Sequence, residues 1–318
     1  MGGMLIDGIW QQKPIAAHDK RGCFVRPDSQ FRQWVTADGS SEFKAEANRY
    51  HLYISYACPW ASRTLMFRKL KGLEKIISLS FVKPYMGDHG WEFGAQHEES
   101  NDPLHQANYL YEVYLKANPQ YSGKVTVPVL WDKQKQTIVN NESSEIIRML
   151  NGEFNALTDN QQDFYPENKR IEIDEMNRFI YDNINNGVYG CGFAATQVAY
   201  DEAIVKLFAA LDKVEKLLGQ QRYLVGDVLT EADWRLFPTL IRFDSVYVGH
   251  FKCNLRRIED YANLSNYLRE LYQYSGIKDT VNFKHIKEHY YQSHKEINPT
   301  GIVPKGPLLD YDKPHNRN

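Results

Sequence analysis

The sequence predicts an α/β unit followed by an all-helical one. Strand-type alternation and helical spacing of apolar residues take turns over the first half, in the order β-α-β-α-β-β-α. From about residue 165 onward the apolar residues recur at helical spacing only. A chain of 318 residues, 42% of them hydrophobic, has room for about two domains with packed cores. The expected division is an N-terminal extension at 1–45, an α/β domain at 46–155, and a helical domain with a tail at 156–318.

Each element has its own signal. Residues 1–45 scatter Gly, Pro, Asp and Ser and read as an irregular extension that packs on something else. Leu52 and Ile54 alternate with more polar neighbours, a short strand. After Pro59, Ala61, Leu65, Met66 and Leu70 mark a helix that Gly72 closes. Ile77, Leu79 and Phe81 alternate with Ser78 and Ser80, a second strand, parallel to the first across the β-α-β unit. A long polar loop from Lys83 to Ser100 holds Gly87, Gly90 and Gly94 around Trp91, and a helical piece lies between Pro103 and Ala117. Val125–Trp131 and Thr137–Val139 form a hairpin, in which Pro128 is confined to a strand start, an edge or a cis turn. The run Asn140 to Glu145 has helix-start chemistry ahead of Ile146, Ile147, Met149 and Leu150.

In the second half, Met176, Phe179, Ile180 and Ile184 share one expected face, and Ile204, Leu207, Phe208, Leu211, Val214 and Leu218 another. Thr230-Glu231-Ala232-Asp233 is a capping box before an apolar helix. Further helices are expected at about 258–275 and 279–293, and a Pro- and Gly-rich tail begins at Asn298.

A net charge of −2 gives no electrostatic reason to expect nucleic acid or an anionic membrane as partner. No apolar run approaches the ~18 residues of a membrane span, and the N-terminus carries no signal-peptide pattern. The cysteines Cys23, Cys58, Cys191 and Cys253 are widely spaced and lack a CxxC. They suggest neither a disulfide framework nor a zinc site, so a reducing, cytoplasmic setting and no metal are expected.

Cys58 is the most informative of them. A strand runs into it, Pro59 follows, and a helix begins; Pro is favoured at the first helical position. Unpaired N–H groups and the positive end of the helix dipole favour an anion there. A thiol so placed ionises more easily, its pKa falling from about 8.5 into the range of roughly 3.5–7.5, and the thiolate is the nucleophile. The alternative on residue type alone is a buried apolar cysteine.

The β-α-β-α-β-β-α order, with a cysteine at the first helix start and a Val-Pro before the third strand, resembles thioredoxin. The helical half with its Thr-x-x-Asp box resembles the glutathione transferase superfamily. At motif level, Cys58-Pro59-Trp60-Ala61, Gly90-Trp91-Glu92-Phe93, Val127-Pro128-Val129-Leu130-Trp131-Asp132, Asn141-Glu142-Ser143-Ser144-Glu145-Ile146, Gly187-Val188-Tyr189-Gly190 and Leu229 to Phe237 together resemble the xi class, the glutathionyl-hydroquinone reductases. The resemblance covers residues from roughly 40 to 310. Ser62 departs from it, since many members have His after CPWA.

The resemblance implies a thioredoxin-like, glutathione-binding N-terminal domain and a transferase-type helical domain. It implies Cys58 as nucleophile, glutathione as co-substrate, and a glutathionylated aromatic hydroquinone as substrate. Trp91, Lys124, Val127, Glu142 and Ser143 would hold glutathione. The backbone before a cis Pro128 would pair with its peptide part, Glu142 would take its α-amino group, and Ser143 with the helix start an α-carboxylate. Tyr189, Tyr247 and Tyr290 would line the aromatic pocket, with Tyr291 the adjacent alternative to Tyr290. A homodimer is expected. By residue type alone, Trp91 reads as a loop anchor, Lys124 as a solvated lysine, Glu142 and Ser143 as a helix start, and the tyrosines as core. Two competing readings are an omega-type thiol transferase or dehydroascorbate reductase, and a transferase-like module that binds without catalysis.

Overall fold

The computed structural model describes residues 2–13, 16–96 and 98–317. The chain forms two compact units, each assembled from separated stretches: Met1–Ile15, Pro27–Gln162 and Thr280–Ile302 in the first, and Ala16–Arg26, Asp163–Asp279 and Val303–Asn318 in the second. This grouping differs from three consecutive blocks. The extension is shared between the units, and residues 280–302, expected in the helical domain, belong to the first unit.

The first unit is built on a four-stranded sheet: β1 (Tyr50–Ile54), β2 (Ser78–Phe81), β3 (Val129–Asp132) and β4 (Thr137–Asn140), in the order β4-β3-β1-β2. β1 and β2 are parallel, joined through α1 (Pro59–Leu70), while β3 runs antiparallel to both β1 and β4. Every residue of β1 is buried, His51 included, because a central strand is covered on both faces; its sequence alternation does not mark a wet face. α2 (Leu110–Ala117) starts later than expected, since Asp102 draws the preceding segment into turns by accepting from the N–H groups of Leu104 and Ala107 at 3.1 and 3.3 Å. α3 (Ser143–Gly152) packs beside α1.

The N-terminal segment is not irregular. Gly2–Ile6 and Ile9–Lys13 form a hairpin, and Gly123–Lys124 adds a third strand beside it. Its turn is Asp7-Gly8, with φ of +48° and +77°, the left-handed pair that matches strand twist. An Asp-Gly between apolar-rich segments is the sequence signal for this hairpin.

The second unit is helical: α4 (Arg170–Ile180), α5 (Gly187–Gly192), α6 (Gln197–Leu218), α7 (Glu231–Arg242) and α8 (Ala262–Gln273). α9 (Phe283–Ser293) lies in the first unit. Asp233 Oδ2 accepts from the Thr230 N–H at 2.8 Å and its hydroxyl at 3.1 Å, so the box at the head of α7 is formed. The α6 face is buried as expected. The α4 face is buried only in part: Ile180 and, beyond the helix end, Ile184 are buried as expected, but Ile173 and Asn177 join them while Met176 and Phe179 are half-buried and line a surface cleft. The reason is polar. Asn177 Nδ2 donates to the fully buried Glu231 Oε1 at 2.7 Å, which turns an asparagine inward.

Candidate active site

Cys58 caps α1 with extended backbone, φ −77° and ψ 122°, and Pro59 follows as the first helical residue. Its N–H donates to Ser55 O at 3.2 Å. Its carbonyl accepts from the Ser62 N–H at 3.0 Å and the Ser62 hydroxyl at 3.1 Å. Ser62 thus helps to fix the backbone that carries the thiol. The Cys58 sulfur sits 3.6 Å from the carbonyl oxygen of Val127, and the Val127–Pro128 peptide is cis. Helix start and cis turn therefore meet at one sulfur, which is half-exposed.

A single phenol supports that turn. Tyr114, fully buried on α2, donates from its hydroxyl to Thr126 O at 2.8 Å and accepts from the Thr126 N–H at 3.2 Å. The same oxygen accepts from Asn141 Nδ2 at 3.0 Å. It ties the residue before Val127 to the residue before Glu142. Neither Tyr114 nor Asn141 stood out as a site residue in the sequence, because hydrogen bonds across such separations leave no periodic mark.

Glu142 caps α3, and Ser143 is the first residue of that helix, buried. Glu142 Oε1 accepts from the Ser144 N–H at 3.0 Å and its hydroxyl at 2.9 Å; Oε2 accepts from Ser29 Oγ at 3.2 Å. Burial pushes this carboxyl up, but the Ser144 bonds, the positive charge of Arg63 on α1 and the Ser29 hydroxyl outweigh it, and the net direction is down. Glu142 is thus held as a half-buried anion, suited to an ammonium group.

Trp91 is buried on the short strand Gly90–Trp91, and its ring stacks on His289 of α9 with centroids 4.8 Å apart. His289 Nδ1 bonds to Pro84 O at 2.9 Å, and Ser293 Oγ accepts from the Met86 N–H at 2.9 Å. Two side chains of α9 thereby fasten the Trp91 loop. Tyr290 lies in the same cluster, buried, edge-on to His289 and His294; Tyr291 is half-buried. Lys124 pairs with Met4 in the N-terminal sheet, and its carbonyl accepts from Tyr121 OH at 3.1 Å.

The second unit brings Tyr189 and Tyr247 together, ring centroids 6.3 Å apart, with Phe251 5.5 Å from the first and 5.3 Å from the second. A Cβ on Gly192 would lie 2.2 Å from the Phe251 ring, so only glycine lets that ring close on the cluster. Cys191 and Cys253 are buried beside it, where burial and hydrogen bonding to Cys191 push the Cys253 thiol up, away from nucleophilic chemistry. Among the described residues no group of His, Cys, Asp or Glu side chains could hold a metal ion, and no helix is long and apolar enough to cross a membrane.

Residues 57–153 match the family model for the glutathione S-transferase N-terminal domain, and 197–270 that for the C-terminal domain. Over 322 aligned residues the chain is 55% identical to glutathionyl-hydroquinone reductase YqjG of Escherichia coli (strain K12), covering 99% of this chain and 98% of the relative. It is 52% identical to glutathionyl-hydroquinone reductase PcpF of Sphingobium chlorophenolicum, with 96% of each covered. The chain belongs to the xi-class glutathione transferases, the glutathionyl-hydroquinone reductases. Its two parts are the thioredoxin-like and helical domains of that class. The glutathione-bound structure of YqjG matches it with a TM-score of 0.92 at 53% identity, covering 99% of both chains. The xi-class transferase of Natrialba magadii matches with a TM-score of 0.92 at 48% identity, covering 99% of this chain and 96% of that one.

Proposed function

We propose that this xi-class protein converts glutathionyl-hydroquinones to hydroquinones through a Cys58–glutathione mixed disulfide. The Cys58 thiolate attacks the thioether sulfur of the substrate. An S–S bond forms and the carbon–sulfur bond breaks, leaving its electron pair on the ring carbon, which takes a proton. A second glutathione, as thiolate, attacks the mixed disulfide and leaves as oxidised glutathione, restoring Cys58. The substrate is reduced by two electrons and two glutathionyl sulfurs end as a disulfide.

The observation that carries this reading is the monothiol at the head of α1 beside the cis Val127–Pro128 turn. Cys58-Pro59-Trp60-Ala61 has no second cysteine to resolve an intermediate, so an external thiol must do it. Val127 would pair its backbone with the glutathione peptide, Glu142 its α-amino group, and Ser143 with the α3 start a carboxylate. Trp91 and Lys124 complete the glutathione set. Tyr189, Tyr247 and Tyr290 would serve the hydroquinone oxygens and the leaving carbon, each offering one O–H and an apolar ring. Reliance on glutathione as reductant fits a cytoplasmic enzyme. A homodimer is expected and would sediment at twice the 37.1 kDa chain mass.

The test is mass spectrometry after incubation with a glutathionyl-hydroquinone and no added glutathione. A glutathione adduct on Cys58 with hydroquinone released is expected. Hydroquinone release by the Cys58→Ala variant at the native rate would overturn the reading.

A further inference from the structure

We infer that Arg26 is a positioning residue for Tyr189, stabilising the negative charge that forms on the phenol as it gives up its proton. The inference rests on the reading of Tyr189 as a proton donor. Arg26 ends the strap 16–26, which is fastened to the helical unit along its length. His18 Nε2 bonds to Phe193 O at 2.7 Å, the Ala195 N–H donates to Gly22 O at 3.0 Å, and Arg21 pairs with Glu202 at 2.6 Å. At its end Arg26 Nε donates to Asn186 Oδ1 at 2.9 Å, and the guanidinium carbon lies 4.7 Å from the centre of the Tyr189 ring. Phe24 of the same strap stacks on Tyr189 with centroids 6.0 Å apart.

A cation over an aromatic ring is attracted to its negative face, and more strongly where water is scarce. Arg26 is part-buried, and four aromatic rings surround Tyr189. When the C–S bond breaks, its electron pair goes to the ring carbon, the Tyr189 O–H breaks, and its proton goes to that carbon. The phenolate left behind attracts the guanidinium more than the neutral phenol does, so the gain falls on the transition state. Asn186 fixes the guanidinium in place, so no reorganisation is needed as the charge develops.

The experiment is steady-state kinetics on a glutathionyl-hydroquinone with Arg26→Gln, Arg26→Lys, Tyr189→Phe and the Arg26→Gln/Tyr189→Phe double variant, each verified as folded by circular dichroism. A cation–π contribution predicts that Arg26→Gln lowers kcat about 2- to 30-fold with little change in KM. Arg26→Lys should recover much of the loss, and Arg26→Gln should cost nothing further once Tyr189 is Phe. An Arg26→Gln variant with native kcat, or one whose loss is undiminished in the Tyr189→Phe background, overturns the inference while leaving the Tyr189 reading intact. A Tyr189→Phe enzyme with native kcat removes the Tyr189 reading and this inference with it. If Arg26→Gln does not fold, Asn186→Ala replaces it: it keeps the charge but releases its anchor, and a native kcat there overturns the inference.

Discussion

The sulfur of Cys58 lies 3.6 Å from the carbonyl oxygen of Val127, so the head of α1 and the cis turn before β3 share one point. A thiol so placed has the helix dipole on one side and, on the other, a backbone edge able to pair with a peptide. Cys58 should therefore react with iodoacetamide at pH 6 faster than free cysteine does. Cys58→Ala should lose both this fast alkylation and turnover. Reaction no faster than free cysteine would mean that the helix start does not activate the thiol.

Glu142 makes a second prediction. Glu142→Gln keeps the shape and removes the charge that is offered to an ammonium group. A charge-assisted bond is worth about 1.5–3 kcal/mol, so KM for glutathione should rise by about tenfold or more, with kcat less affected. The folded carboxyl lies below its ordinary value of 4.5, so its stabilising contribution is full above 4.5 and is lost as pH falls through the folded value. Glutathione binding by the native protein should hold from neutrality down to pH 4.5 and weaken only as the pH falls further, through the lowered folded value. Calorimetric titrations of native protein and Glu142→Gln give both readouts, and equal affinities would remove Glu142 from the site.

Tyr114→Phe removes the hydroxyl that joins Thr126 to Asn141 and takes a partner from the buried Asn141 amide and from the half-buried Thr126 N–H and carbonyl. Orphaned buried groups cost about 1–3 kcal/mol, so the urea midpoint should fall. Because Thr126 adjoins Val127 and Asn141 adjoins Glu142, KM for glutathione should also rise. A variant that loses stability but keeps native KM would make Tyr114 a core residue and nothing more.

How far the sequence revealed this arrangement depends on the distance over which each feature is encoded. Cys58, Pro59 and the Thr230–Asp233 box are local, and helix-start chemistry within four residues suffices to find them. The β1–α1–β2 unit and the β3–β4 hairpin follow from periodicity and turn residues. The N-terminal hairpin was equally local: Asp7-Gly8 carries it, and the surrounding Gly and Pro obscured it. What no periodicity encodes is pairing across the chain. Asn177 turns inward because Glu231, 54 residues away, needs a donor, and this shifts the buried face of α4. Trp91 is fastened by His289 from a helix nearly two hundred residues later, which is also why α9 belongs to the first unit.

Acid stability gives a last prediction. His51 is buried in the central strand β1, its Nδ1 2.8 Å from Ser78 Oγ. Burial is the main reason that its pKa drops from 6.5 to about 3, and the positive charge of Lys133 adds to it. The folded protein therefore keeps His51 neutral, while the unfolded chain takes up a proton once the pH falls below about 6.5. The unfolded state then binds more protons, so stability is lost as pH falls from 6.5 toward 3, by up to about 1.4 kcal/mol per pH unit from this one group. His51→Asn should be less stable at pH 7, because it leaves a smaller side chain in a packed strand, but its stability should fall less steeply between pH 7 and 5. Urea unfolding at a series of pH values measures both slopes, and parallel slopes would assign the acid sensitivity to other groups.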